Sequence, residues 1–138
     1  MKKLRAWLLD WPVQPLALAQ CEVIEVADEP EIHRIPVGPH WCRALVYWRE
    51  RLLPLALPSD SEAKDLWIVI VAYQPASGSA LEYGAIAVLG MPRQIDVPLD
   101  ADCEPPAESV LRDAQLRACF RFEDRTIVSP ELQALFAR

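Results

Sequence analysis

Glycine and histidine are scarce in this chain, with 4 Gly and 2 His among 138 residues. Gly38, Gly78, Gly84 and Gly90 stand apart, so no glycine-rich array is available to cradle a phosphate. No G-x-S-x-G elbow occurs, and the serines sit in polar stretches or at a helix cap. Both histidines, His33 and His40, fall in one Pro-rich segment. With Cys42 they form the one candidate metal cluster, but a closed zinc site needs four ligands and no second pair accompanies them. A Cys-His nucleophile built from Cys42 and His33 lacks an orienting third group. These absences argue against an enzyme and against a bound metal or cofactor. The 4 Cys (Cys21, Cys42, Cys103, Cys119) show no C-x-x-C and no regular spacing. They read as reduced thiols of a cytoplasmic protein, with Cys42 and Cys119 acting as small hydrophobes in apolar strands.

No apolar run is long enough to cross a bilayer. The start, Met1-Lys2-Lys3-Leu4-Arg5 followed by AWLL, has the charge of a leader, and Ala17-Leu18-Ala19 imitates a cleavage site. Asp10, Pro12, Gln14 and Pro15 interrupt the apolar stretch a leader needs. The sequence instead predicts a strand over Leu4–Leu9, a stiff Pro12-x-x-Pro15 link and a strand over Leu16–Gln20. Acidic residues outnumber basic ones, 20 to 14, for a net charge of −6. The basic residues are scattered, which argues against nucleic acid or an anionic membrane as partner.

At 52% hydrophobic and 25% charged, the chain reads as globular. Its length suits one domain over 1–138, in which folding buries about two-thirds of the surface. Pattern is the stronger clue. The run 66–73 (LWIVIVAY) is continuously apolar and bounded by breakers, as for a strand buried on both faces. Strands are also expected over Glu82–Leu89 and Gln94–Val97. The segment Asp96–Glu108 is acidic and proline-bearing, so it reads as a solvated loop. A short helix is expected near Glu108–Gln115. At the end, Ser129-Pro130-Glu131 looks like a helix cap, and Leu132, Leu135 and Phe136 form a narrow apolar face that would close the end of a barrel.

The stretch from Glu25 to Leu57 organises the rest. A Pro-rich loop (Pro30-Glu31-Ile32, then Pro36-Val37-Gly38-Pro39) leads into a strand with Ala44, Val46 and Trp48 on one face. Arg49-Glu50 falls where a hairpin must reverse, before a second apolar strand. Neither residue favours the left-handed backbone that such a two-residue turn demands. A related pattern recurs near the end. Ala44–Leu55 aligns without gaps on Ala118–Ser129, setting Trp48 against Phe122, Glu50 against Asp124 and Arg51 against Arg125.

These residues resemble the CheW-like family, the coupling proteins of bacterial chemosensory arrays. The family pattern runs roughly V-x-E-I, L-P-E-I, P-x-x-P, a Gly-led strand, N-L-R-G and V-V-P-V-I-D-L. At matching spacing this chain has Val23-Ile24-Glu25-Val26, Pro30-Glu31-Ile32, Pro36-Val37-Gly38-Pro39, Ala44 for the leading Gly, Trp48-Arg49-Glu50 and Leu52-Leu53-Pro54-Leu55. Gly84 suits the Gly-led strand of a second barrel. Glu50 replaces the turn glycine, and Ala56 or Leu57 stands where an Asp is usual. The resemblance implies an all-β fold of two small five-stranded β-barrels around a shared core, with short peripheral helices. It implies a non-enzymatic adaptor whose partners are a chemoreceptor's cytoplasmic tip and the regulatory domain of the chemotaxis histidine kinase. Partner-binding roles carry over to Glu25 and Arg49, with Trp48 and Glu50 beside them. The two departures suggest a specialised coupling protein, serving a pilus or another chemosensory system. The alternative is a structural spacer or dimerising module that has lost coupling, with Trp11, Trp41 and Trp48 as core or interface residues.

Overall fold

A computed structural model of the chain describes residues 3–12, 14–27, 32–34, 44–56, 66–98, 111 and 115–136. The strands are β1 (Lys3–Asp10), β2 (Pro15–Ala19), β3 (Val23–Ala27), β4 (Ile32–Arg34), β5 (Ala44–Trp48), β6 (Arg51–Ala56), β7 (Trp67–Tyr73), β8 (Glu82–Val88), β9 (Arg93–Pro98), β10 (Leu116–Phe122) and β11 (Arg125–Pro130). A 3-10 turn spans Gln20–Glu22, and among the described residues one short helix, α1, spans Leu132–Leu135. The Pro-rich residues 35–39, His40, Trp41, Cys42, Cys103, the acidic residues 99–108 and most of the helix expected near 108–115 lie outside the described residues.

Two sheets result. One runs β10-β11-β2-β1-β9 and the other β3-β7-β8-β6-β5-β4. Reversing the second shows that they share a plan. Each has an antiparallel hairpin (β10–β11 or β5–β6), then a parallel seam to a strand of an antiparallel pair (β2–β1 or β8–β7), then one more antiparallel strand (β9 or β3). The short β4 is added beyond β5. Neither sheet is a continuous piece of chain. The first half lends β3 and the β5–β6 hairpin to the sheet of β7 and β8, and the second half lends β9 and the β10–β11 hairpin to the sheet of β1 and β2. The expectation was two five-stranded barrels. The hydrogen-bonded orders are open, and one sheet has six strands.

The burial pattern explains the apolar runs. Ile68 and Ile70 of β7 face an apolar cluster inside the second sheet, with Val46, Leu53 and Leu55. Val69 and Val71 face a layer between the sheets, with Leu9, Leu16, Leu18, Ile86 and Val128. A strand with apolar neighbours on both faces cannot alternate, and the sequence does not. A third cluster fills the curl of the first sheet with Leu8, Ile95, Val97, Phe120 and Ile127. Because β9 and β10 are the edges of that sheet, their meeting in one cluster requires the sheet to curl. Two polar contacts tie the sheets together. The Trp11 indole N–H donates to the Ala56 carbonyl at 2.9 Å, and the Leu89 N–H to the Asp10 carbonyl at 2.9 Å.

Three expectations need correction. β11 continues to Pro130, and Glu131, without a side-chain bond, occupies the cap position of α1. Ser129 lies within β11, two residues before the cap position, and its hydroxyl oxygen accepts from Arg117 at 3.0 Å. The helix does not close a barrel end either, since Leu132, Leu135 and Phe136 enter the layer between the sheets. Asp96, where the expected strand Gln94–Val97 and the expected acidic loop overlap, is a strand residue. It lies on β9 opposite Arg5, with the two side chains 3.6 Å apart.

A candidate interaction site at the first hairpin tip

Trp48 pairs directly with Arg51 at the end of β5–β6, leaving Arg49 and Glu50 as the whole turn. Both have left-handed backbones, with φ of 46° and 64°. Glu123 and Asp124 repeat this in the β10–β11 hairpin, with φ of 51° and 62°. The structure therefore adopts the two-residue turn that the Arg-Glu chemistry resists. A right-handed strand twist selects this turn type whatever residues occupy it. Non-glycine residues each give up about 1–2 kcal/mol there. Glu50→Gly should accordingly raise stability by about 0.5–1 kcal/mol in urea denaturation, after the extra freedom of the unfolded chain is offset. Asp124→Gly should gain less, because Asp tolerates this conformation better. A loss of stability at Glu50→Gly would mean that the Glu50 side chain stabilises the turn.

The hairpin tip carries two tilted rings with a cation at each end. The Arg49 guanidinium lies over the Trp48 ring at 4.6 Å, Trp48 meets Tyr83 at 5.5 Å and 44°, and Arg51 lies over Tyr83 at 5.3 Å. Glu25 secures the outer end. One carboxylate oxygen accepts from the Trp48 indole N–H at 2.5 Å, and the other sits 3.8 Å from the Arg49 guanidinium. Glu25 is on β3 and Trp48 on β5, which are not neighbours in the sheet. Curling of the sheet, rather than its ladder, brings them together. All four residues that the sequence singled out thus sit at one tip: three in mutual contact, and Glu50 exposed beside them. Arg49 is 66% exposed and Glu25 43%. An ion pair that open is worth at most about 1 kcal/mol, so a partner carboxylate can replace Glu25 at little cost.

Tyr83 and Arg51 complete the group, and the sequence did not mark either as a site residue. Tyr83 is remote along the chain, and the parallel pairing of β6 with β8 alone brings it here. The outward face of the same hairpin is also apolar. Tyr47 pairs with Leu52, 48% and 57% exposed, next to the Leu45–Pro54 pair. Strand alternation in Leu45 and Tyr47 held that signal. Elsewhere, Tyr73 stacks on Phe136 at 5.7 Å and donates to Glu82 at 3.2 Å. Burial, aided by the Glu82 charge, pushes its phenol up to about 12.

The second hairpin has a counterpart of this latch with the charges exchanged. Arg93 on β9 lies 3.0 Å from Glu123 at the turn and 5.9 Å from the Phe122 ring. Arg93 faces Leu8 across its ladder, just as Glu25 faces Ile70. The cation is therefore on the turn in one hairpin and on the strand in the other. Among the described residues no group of three or more His, Cys, Asp or Glu is placed to hold a metal ion. His33 is exposed on β4, and Cys21 is an exposed free thiol while Cys119 is buried.

Two interlocked sheets of like topology, sharing an apolar layer and exchanging strands between chain halves, make this the CheW-like fold. The chain superposes on the crystal structure of the scaffolding protein TtCheW from Thermoanaerobacter tengcongensis with a TM-score of 0.74. That match covers 99% of this chain and 94% of TtCheW at 17% sequence identity, a likeness of fold. No family model matches the chain, and no curated protein matches it in sequence.

Proposed function

We propose that this protein is a non-enzymatic adaptor of a bacterial chemosensory system. In this reading it is one domain over residues 1–138, works in the cytoplasm, and joins a chemoreceptor's cytoplasmic tip to the regulatory domain of a histidine kinase. The carrying observation is the hairpin tip. An exposed Arg49 is pre-positioned by Trp48 and Glu25 at the place where the CheW-like pattern has its partner-binding Arg. The fold of a scaffolding protein supports the reading.

The test is Arg49→Glu, assayed by calorimetry against a receptor-tip fragment and a kinase regulatory domain. Reversing an interfacial charge should cost 2 kcal/mol or more of binding, on the order of thirtyfold in affinity. Folding stability should move by only about 0.5 kcal/mol, as at other exposed sites. Unchanged binding would remove Arg49 from the site. A second reading, a spacer or dimerising module, is favoured by one observation, the exposed Tyr47–Leu52 pair with apolar neighbours on both strands. Sedimentation separates the two: self-association without binding to receptor or kinase supports the spacer.

A further inference from the structure

The shared plan of the two sheets allows their interiors to be compared position by position. The matching turns set β10–β11 on β5–β6, so that Phe120, Ile127 and Ser129 correspond to Val46, Leu53 and Leu55. The ladders set β1–β2 on β7–β8: Leu8 faces Ala17 as Ile70 faces Ala85, and Ala6 faces Ala19 as Ile68 faces Ala87. The second interior is filled by Ile68 and Leu55, both fully buried. At these places the first interior has Ala6 and Ser129. Leu4, corresponding to the buried Leu66, is 60% exposed.

The missing side chains leave a real space. A cavity of about 380 Å³ opens at this end of the first sheet, walled by Leu4, Ala6, Ala17, Val97 and Phe120. That volume lies within the ~300–1,000 Å³ of small-molecule sites, which favour the mouths of barrel-like sheets. The polar groups among its described lining residues are Arg5, Arg117 and Ser129, two cations and a hydroxyl with no carboxylate. Arg117 is fixed from the outside, donating to Glu22 at 2.8 and 3.2 Å and to Ser129 Oγ at 3.0 Å. The bond to Glu22 raises its pKa further, so it stays charged. Arg5 falls between Leu4 and Ala6 on β1, so its side chain lies on the other face of the strand, paired with Asp96 at 3.6 Å, and Arg117 is the cation left to the cavity.

We propose that this cavity binds an amphipathic monoanion, a free medium-chain alkyl carboxylate whose tail enters the apolar walls while its head meets Arg117 and the Ser129 hydroxyl. A volume of about 380 Å³ is at the low end of the range for small-molecule sites, which suits a single alkyl chain of about ten carbons rather than a two-tailed lipid. The site is separate from the hairpin tip and does not depend on the adaptor reading.

Decanoate, titrated below its micelle concentration into isotope-labelled full-length protein, tests this. Saturable shifts of the amides of Ala6, Val97 and Phe120 are expected. Ala6→Ile and Ser129→Leu, which install the residues of the filled sheet, should each weaken binding tenfold or more while the melting temperature holds or rises. If either fails to fold, Ala6→Val makes the same test with a smaller side chain and should weaken binding by a smaller factor. Arg117→Ala should weaken it several-fold, Arg5→Ala should leave it within about twofold, and decyltrimethylammonium should not compete. Non-saturating shifts, equal binding by a folded filled variant, or equal binding of the cationic amphiphile would each overturn the proposal.

Discussion

Gly84→Ala should destabilise the protein by about 2–3 kcal/mol, a large cost for one methyl group. A Cβ built on Gly84 would lie 2.6–2.8 Å from three carbons of the Phe136 ring, closer than packed carbon atoms tolerate. The ring cannot easily retreat. It stacks on Tyr73, and α1 anchors it between the sheets with Leu132 and Leu135. The methyl group must therefore displace the ring, the helix or β8. Urea denaturation measures the cost. Phe136→Ala alone should cost about 3–5 kcal/mol through the cavity it leaves. Combining the two should cost less than their sum by about 1–2 kcal/mol, since the space emptied by the ring is where the methyl group goes. Strict additivity would show that the Gly84–Phe136 contact does not constrain the strand.

Trp11→Ala should cost about 3–5 kcal/mol, the second large effect. Trp11 is 2% exposed, follows β1 of one sheet and donates its indole N–H to Ala56 of the other. Its truncation empties the shared layer and orphans a carbonyl. Trp11→Phe separates these losses. The ring largely refills the space, but the Ala56 carbonyl is left without its donor, at about 1–3 kcal/mol. Denaturation of the three proteins side by side gives both terms. If Trp11→Phe were neutral, water would be replacing the indole, and the bond would contribute nothing net to joining the sheets.

Much of the fold is legible in the chain because strands announce themselves locally. The run 66–73 had to be a strand buried on both faces, and β7 is one. The hairpin over 44–56 and its counterpart over 116–130 follow from apolar periodicity and the weak internal repeat, and their turns match. The helix cap misled because Ser129 chemistry has two outlets. A hydroxyl that can cap a helix can equally accept from Arg117, and only the neighbouring strand decides which. Asp96 fell in both the expected strand Gln94–Val97 and the expected acidic loop, and its pairing with Arg5 places it on the strand with its side chain exposed.

The sequence by itself determined the fold class, the positions of most strands and the residues of one hairpin tip, because periodicity, breakers and a local motif are properties of neighbouring residues. Tertiary structure alone decided the rest. It exchanged strands between the chain halves, carried Glu25 and Tyr83 to Trp48, and set Phe136 on Gly84. It also turned two modest replacements, Ala6 and Ser129, into an open cavity. Each of these depends on contacts between residues far apart in the chain. Side-chain period does not encode such contacts; they are chosen when two curled sheets bury their common apolar face.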